Sequence, residues 1–257
     1  AIRPPQPRPV RVLYSGLGFT EGPCQTPDGL AFVSVSKGNL YVEGEVLAHL
    51  GGGPNGVALG PDGRLFVTQN GGVDYRAFNL PVDDPYDPVP PGVLAVGLDG
   101  QVETVVGPQG VSAPNDLVFD GHRLVFTDSG AAKVLDGELR LVSDRFEYPN
   151  GIALGPGGLW VADTHRRQVI RLADGHAVQM PGAGPDGICF DDEGRLYAAC
   201  TVDGAVHVFE PDGRRLGSYV GRRGDLFTNC CLRGPDLVVT AALPGEVVAF
   251  DRSEMGG

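Results

Sequence analysis

The sequence predicts an all-β protein, and three observations lead to that prediction. Short apolar runs follow one another along the 257 residues, and turn residues bound each of them. The 40 glycines and 22 prolines stand at recurring places between these runs, so they indicate turns and not low complexity. The longest stretch that lacks both residue types, 159–174, has no sustained helical period, so little helix is expected.

A recurring unit of two strands accounts for most of the chain. Each unit has an opening triplet, an apolar run, a turn that contains glycine and a second apolar run, which is the pattern of a tight hairpin. The opening triplets are Pro54-Asn55-Gly56, Pro114-Asn115-Asp116, Pro149-Asn150-Gly151, Pro185-Asp186-Gly187 and, more loosely, Thr228-Asn229-Cys230, while Glu21-Gly22-Pro23 opens a sixth copy.

Further, more polar strands follow the hairpin in most units. They are Val93–Leu98 with Val102–Val106, Val169–Leu172, Ala205–Phe209 and Glu246–Phe250. Four strands in a unit, with roughly 35 to 60 residues between openings, are typical of a β-propeller blade. The sequence therefore predicts a six-bladed β-propeller of four-stranded antiparallel blades around a central channel, formed by residues 1–257 as one domain. The run Val10–Tyr14 is expected to supply an outer strand to the last blade and so to remove an exposed edge.

The opening triplets are expected to meet at one end of the channel, because each innermost strand starts at its triplet. Their carboxylate and amide oxygens would form a ring, and such oxygens are the ligands that Ca²⁺, Mg²⁺ and Mn²⁺ prefer. An alternative stays open, because Asn-Gly and Asp-Gly are also favoured in tight turns and each triplet taken alone is more typical of a turn. Glu21 fits no turn preference and is therefore the most informative ligand candidate.

The segment 70–92 is too long for an ordinary hairpin loop and lies at the same end of the predicted ring. Loops of this length are usually functional or disordered, so we interpret it as a lid over the metal face. It contains Tyr75, Arg76, Phe78 and Tyr86, which are candidates for substrate contact. Packing of the aromatic residues within the core or the loop is the alternative.

The composition limits the classes of partner. A formal charge of −12 argues against a nucleic acid or an anionic membrane. No apolar run approaches the length of a membrane span, and no signal-peptide pattern precedes Val10, so a cytoplasmic protein is expected. The oligomeric state is left open.

Cysteine and histidine give little sign of a separate site. The five cysteines show no Cys-x-x-Cys spacing, so they are interpreted as small apolar filler and not as zinc ligands or disulfides. The five histidines predict no metal cluster. His165 follows a predicted inner hairpin at the metal end and is a candidate acid, base or substrate contact, whereas His207 and the other three are assigned no role.

At this level of detail the chain resembles the regucalcin/gluconolactonase (SMP-30-like) family of six-bladed propellers over essentially its whole length. The resemblance is carried by Glu21-Gly22-Pro23, by Asn115-Asp116 followed by Phe126-Thr127-Asp128, by Pro149-Asn150-Gly151 with Trp160-Val161-Ala162-Asp163, and by Pro185-Asp186-Gly187. It implies one divalent metal ion held by Glu21, Asn150, Asp186 and Asn115, with Ca²⁺ as the first candidate and Zn²⁺, Mn²⁺, Mg²⁺ or Fe²⁺ as the others. Asn115 would bind the metal or the substrate.

The resemblance also implies an enzyme that hydrolyses carboxylic esters by opening a small-molecule lactone, with Asp186 as general base or nucleophile. One departure concerns Ala113, which stands where sugar lactonases of the family often carry an arginine for substrate hydroxyls, so a less polar lactone or ester becomes more plausible. Asn55 is an additional candidate for substrate contact. Two alternatives stay open: a non-catalytic binding scaffold like the NHL propellers, and isomerisation or cyclisation at the same metal site.

Overall fold

The computed structural model describes residues 10–256, which form a ring of six four-stranded antiparallel sheets. Blade 1 consists of β2 (Thr20–Thr26), β3 (Gly29–Ser34), β4 (Asn39–Val42) and β5 (Glu45–His49). Blade 2 consists of β6 (Pro54–Leu59), β7 (Leu65–Gln69), β8 (Gly92–Val96) and β9 (Val102–Val106). Blade 3 consists of β10 (Pro114–Asp120), β11 (Arg123–Asp128), β12 (Lys133–Asp136) and β13 (Leu141–Ser143).

The remaining three blades repeat this pattern. Blade 4 consists of β14 (Pro149–Gly155), β15 (Gly158–Asp163), β16 (Gln168–Arg171) and β17 (Ala177–Gln179). Blade 5 consists of β18 (Ile188–Phe190), β19 (Leu196–Cys200), β20 (Ala205–Phe209) and β21 (Arg215–Val220). Blade 6 joins β22 (Leu226–Arg233), β23 (Asp236–Leu243) and β24 (Glu246–Asp251) to β1 (Arg11–Tyr14). The prediction of a six-bladed all-β propeller is therefore confirmed.

The ring is closed by a strand from the other end of the chain. β1 pairs with β24, with Arg11 opposite Ala249 and Val12 opposite Val248. The pairing covers the outer edge of blade 6, as expected from the run Val10–Tyr14. The expectation about a signal peptide concerns residues before Val10, which lie outside the described residues.

The core consists of apolar clusters that fill the spaces between neighbouring blades. Val33 of blade 1 packs in one cluster with Val67 of blade 2, and Phe66 on the other face of blade 2 packs with Phe126 of blade 3. The alternation of side chains along each strand sends successive residues into different interfaces. Cys230 and Cys231 follow this rule, because Cys230 lies in the cluster with Tyr197 and Cys231 packs against the one with Leu30.

Five of the six opening triplets lie in strands and not in turns, whereas Pro185-Asp186-Gly187 directly precedes β18. Pro54, Pro114 and Pro149 are the first residues of the inner strands β6, β10 and β14, so the turn interpretation of these triplets is wrong. The register shifts directly after each of these prolines, and it shifts in β2 between Glu21 and Cys24. Such bulges re-aim side chains locally, and here they occur at the axial end of each of these strands.

Glycine in these triplets lets neighbouring inner strands approach closely. A Cβ atom on Gly56 would lie 2.7 Å from the Cα atom of Asp116, and one on Gly151 would lie 2.4 Å from the carbonyl oxygen of Asp186. The glycines therefore serve close packing around the axis and not turn geometry.

Threonine hydroxyls connect neighbouring blades at the opening triplets. The Thr127 hydroxyl of β11 accepts a hydrogen bond from the Asp116 amide (3.0 Å) and donates to the Asn150 carbonyl of the next blade (2.6 Å). Thr68 makes the equivalent pair of bonds to Gly56 and Asn115. These bonds satisfy backbone groups that the bulges leave unpaired and fix one blade against the next.

The segment 70–92 is irregular apart from a short 3-10 helix, Tyr75–Phe78, and a second such helix, Arg252–Glu254, follows blade 6. The Gly52 amide, in the connection between blades 1 and 2, donates to the Asp87 carbonyl of the segment, and a bond from Val89 to Gly71 joins the two ends of the segment. None of the helices in the described range 10–256 has the length and apolar character needed to cross a membrane.

Candidate functional site

Side chains from all six blades meet at the axial end of the inner strands. Glu21, Asn55, Asn150 and Asn229 are buried, and so is Asp116. Asn115 and Asp186 are partly exposed and lie at the same level of their blades. We call these seven residues the axial ring.

The predicted ligands are held by short local bonds. Oε2 of Glu21 accepts from the backbone amide of Gly22 (2.8 Å), and Oδ2 of Asp186 accepts from the Thr201 hydroxyl (2.8 Å). The side-chain nitrogen of Asn150 donates to the Thr164 hydroxyl at 3.2 Å. The side-chain oxygen of Asn150 takes no part in this bond. Each side chain therefore has a fixed orientation and keeps oxygen lone pairs that these bonds do not use.

The sequence placed the triplets of Asp116 and Asn229 in the predicted ring, but it assigned neither residue a role in the site. The amide of Asn229 donates to Oδ2 of Asp116 across the channel (3.3 Å), and Oδ1 of Asp116 accepts from the backbone amide of Leu117 (2.9 Å). The available signal was in the triplet itself, since Asp116 takes the position where the other Pro-Asn triplets have glycine.

Three carboxyl groups of the axial ring are strongly destabilised in their charged form. Burial raises the pKa of Glu21 well above its usual range, and the neighbouring Asp186 charge adds to the effect. Burial raises the pKa of Asp116 to about 6 and that of Asp186 to about 7, where the Asp116 charge also contributes. The groups that lower these three pKa values are amides, a hydroxyl and backbone N–H groups, and no lysine or arginine of residues 10–256 is among them.

Two buried polar atoms at this end have no hydrogen-bond partner within residues 10–256. They are the carbonyl oxygen of Asn55 and the phenol oxygen of Tyr75. Burial raises the pKa of Tyr75, and the Glu21 charge contributes, so the phenol lies near the axial ring. An unsatisfied buried polar atom is costly, which is typical of a place that binds a ligand.

The other candidates for substrate contact differ in their surroundings. Tyr75 packs in a cluster with Val35 and Val82, so the packing alternative holds for its ring. Arg76 is exposed, as are Phe78 and Tyr86. His165 is exposed and stacks on Tyr148, with 4.8 Å between ring centroids.

Tyr148 is a further residue that sequence reasoning missed. Burial raises its pKa, and the charges of Asp186 and Glu21 contribute, so its phenol also lies near the axial ring. It is the last residue of the loop that precedes β14, where no repeat pattern singles it out.

Asp128 and Asp163 end second strands and bind loop backbone. Asp128 accepts from the amides of Ser112 (2.7 Å) and Ala113 (2.8 Å), which immediately precede the triplet of β10. Asp163 accepts from the amide of Tyr148 at 3.0 Å, directly before the triplet of β14. Both carboxylates therefore position the chain that leads into an inner strand.

The axial ring fits a hard divalent cation. Its donors are carboxylate and amide oxygens, its carboxylates have no cationic partner among the described residues, and the Asn55 oxygen is unpartnered. A cation would supply the missing positive charge. Glu21, Asn150 and Asp186, with Asn115 beside them, are the residues that would hold it.

A second group of metal-ligating side chains corrects the expectation that histidine forms no cluster. Cys200, Asp203 and His207 lie in blade 5, and their ligand atoms are all within 4.8 Å of one another. The three residues are separated by a turn in the sequence, and only the pairing of β19 with β20 brings them together.

Comparison with known proteins agrees with this architecture. A family model described as SMP-30/Gluconolactonase/LRE-like region matches residues 26–243. The chain belongs to this family. A gluconolactonase of Zymomonas mobilis is 28% identical over 233 residues, covering 74% of this chain and 61% of that protein. The chain thus spans about three fifths of the length of this curated relative.

Solved structures share the fold at lower identity. A gluconolactonase from Xanthomonas campestris has a TM-score of 0.73 at 22% identity and covers 93% of this chain and 88% of its own. A calcium-binding regucalcin from Agrobacterium tumefaciens has a TM-score of 0.68 at 17% identity, with 94% and 93% covered. At these identities the likeness shows the fold alone.

Proposed function

We propose that this protein is a metal-dependent lactonase, a hydrolase that opens a small-molecule lactone at the axial ring. The observation that carries the proposal is the meeting of three carboxyl groups, two buried and one partly exposed, with no cationic side chain among the groups that shift their pKa values. Burying several carboxylates together costs several kcal/mol unless a cation compensates them. Membership of the gluconolactonase family supports the reaction class.

Glu21, Asn150, Asp186 and Asn115 would hold one divalent ion, with Ca²⁺ as the first candidate. Calcium suits a site built only from oxygen donors, and a calcium-binding regucalcin shares the fold. When bound, such an ion polarises an ester carbonyl and lowers the pKa of a bound water.

Asp186 is proposed as the general base. Thr201 fixes one of its oxygens, so the carboxylate is held in a defined orientation for proton abstraction from a water. Asn55 would orient the substrate through its unpartnered carbonyl oxygen, and the Asn115 amide, which has no hydrogen-bond partner in the described chain, would do so from the neighbouring blade.

The segment 70–92 is proposed as a lid on a single propeller domain. Its Tyr75 phenol lies near Glu21 and would exclude water from one side of the ring. Ala113, directly before the triplet of β10, offers no charged or polar group that could bind substrate hydroxyls. This favours a lactone with few hydroxyl groups. The five free thiols favour the cytoplasm as the compartment.

The experiment is acid release from a panel of sugar and alkyl lactones by chelator-treated protein, before and after addition of CaCl₂, MnCl₂ or ZnCl₂. We expect hydrolysis only with metal, and loss of hydrolysis in Glu21→Gln and Asp186→Asn. Asp28→Asn, in the exposed turn between β2 and β3, is the matched control and should hydrolyse like the wild type.

Two results would redirect the proposal. Metal binding without turnover of any lactone would favour isomerisation or cyclisation at the same ring. Absence of metal binding in the wild type, together with an unchanged Glu21→Gln variant, would favour a non-catalytic binding scaffold.

A further inference from the structure

We infer that Cys200, Asp203 and His207 form a second metal site, suited to Zn²⁺ and separate from the axial ring. The inference does not depend on the proposed lactonase activity. It rests on the geometry of these three side chains and on the groups that orient them.

The strand register places the cysteine and the histidine on one face of blade 5. His207 of β20 pairs with Ala198 of β19, and Cys200 lies two residues further along the same strand. Residues two apart on a strand face the same side, so Cys200 and His207 are diagonal neighbours on that face. Asp203 lies in the turn between the two strands. We call the side chains of Cys200, Asp203 and His207 the triangle.

The separations suit tetrahedral coordination. Nε2 of His207 lies 3.1 Å from Oδ2 of Asp203, and the three ligand atoms lie within 4.8 Å of one another. Tetrahedral Zn²⁺ with bonds of about 2.1 Å requires nitrogen and oxygen ligands about 3.4 Å apart. Small side-chain adjustments would therefore complete the coordination, with one position left for water.

The groups around the triangle already orient its members. Nδ1 of His207 is 2.6 Å from the Ser218 hydroxyl on β21, which leaves Nε2 directed at Asp203. Histidine ligands commonly have such a partner on the second ring nitrogen. The backbone amide of Ala183 contacts both carboxylate oxygens of Asp203, at 3.1 and 3.0 Å.

Charge and access also agree with a zinc site. A thiolate and a carboxylate together balance a divalent cation, and a neutral imidazole adds no charge. The Cys200 thiol is fully buried and has no hydrogen-bond partner in the part of the chain that the structure describes. The Asp203 side chain is 26% exposed, so an ion can enter beside it.

The site borders the axial ring through one residue. Thr201 follows Cys200 directly and donates to Asp186 at 2.8 Å. A metal ion bound by Cys200 and Asp203 would therefore fix both ends of the short turn that carries Thr201.

The test is titration of metal-free protein with Co²⁺, which occupies zinc sites and reports thiolate ligation by a sulfur-to-cobalt charge-transfer band. We expect that band in the wild type and its displacement by one equivalent of Zn²⁺. Cys200→Ser should lose the band, whereas Cys24→Ser, a change at a thiol outside the triangle, should keep it. Glu21→Gln should also keep it, because the axial ring offers no sulfur.

Two milder variants make the test independent of any folding defect in Cys200→Ser. Asp203→Asn and Ser218→Ala should keep the fold, as judged by circular dichroism. Ser218→Ala should weaken Co²⁺ and Zn²⁺ binding by about 10- to 100-fold, and Asp203→Asn, which changes a direct ligand, should weaken it at least as much. A wild type without the charge-transfer band, or a band unchanged in Cys200→Ser, would overturn the inference. Unchanged affinity in both milder variants would do the same.

Discussion

The buried carboxyl groups of the axial ring make a prediction about stability that does not depend on any substrate. Asp186→Asn should stabilise the metal-free protein at pH 8, because it removes a negative charge that the fold buries without a cationic partner. The amide oxygen of the variant can still accept the hydrogen bond from Thr201. The substitution therefore changes the charge and leaves the local packing nearly unchanged.

The magnitude follows from the pKa of Asp186, which rises from 3.8 to about 7 in the folded protein. Below pH 3.8 the carboxyl group is protonated in both states and carries no penalty. Between pH 4 and pH 7 the unfolded chain releases the proton first, so the free energy of unfolding falls as the pH rises. Three pKa units correspond to about 4 kcal/mol at pH 8. For a chain of this size, removing that penalty should raise the melting temperature of the variant by on the order of 10 °C.

The assay is thermal unfolding in EDTA at pH 4 and pH 8, followed by circular dichroism, with Asp28→Asn as control. Asp186→Asn should raise the melting temperature at pH 8 and change it little at pH 4, whereas the control should change neither. Calcium at a hundred times its dissociation constant should stabilise the wild type by about 2.7 kcal/mol and leave Asp186→Asn unaffected. A variant that melts at or below the wild-type temperature at pH 8 would refute the reasoning.

Three further predictions concern the packing around the axis. Thr127→Val should lower the free energy of unfolding by about 1–3 kcal/mol, because a buried amide and a carbonyl of the next blade lose their partner. Gly56→Ala should cost about 1–3 kcal/mol, because the new Cβ atom would lie 2.5 Å from Oδ1 of Asp116. Tyr75→Phe should leave stability unchanged or raise it by up to about 1 kcal/mol, because the hydroxyl that it removes has no partner in the described chain. Urea unfolding measures all three.

Matched variants separate these effects from the substitutions themselves. Thr104→Val changes an exposed residue of β9, and Gly107→Ala places a Cβ atom 3.2 Å from the flexible end of Gln109. Both should alter stability by less than 0.5 kcal/mol. A loss as large as that of the axial variants would show that β-propensity or backbone entropy, and not the inter-blade contact, is responsible. A loss of more than about 1 kcal/mol in Tyr75→Phe would show that the phenol has a partner in solution.

The sequence alone determined the blades and the place of the opening triplets. Strand alternation, turn residues and hairpin spacing are local features, and each of the six units repeats them, so the β-propeller and its closure by β1 could be predicted. The same repetition indicated Glu21, Asn115, Asn150 and Asp186 as axial residues. Their role as metal ligands stays a prediction.

The tertiary structure decided the electrostatics of the site and the identity of its less obvious members. Asn229 and Asp116 are 113 residues apart and meet only because the ring closes, and the burial that raises the Asp116 pKa exists only after closure. The triangle of Cys200, Asp203 and His207 likewise depends on the register of two strands, which no spacing rule specifies. Local sequence patterns reflect the preference of a residue for its own strand or turn. The desolvation of a side chain and the charges around it depend on every element that packs against it, so they appear only in the tertiary structure.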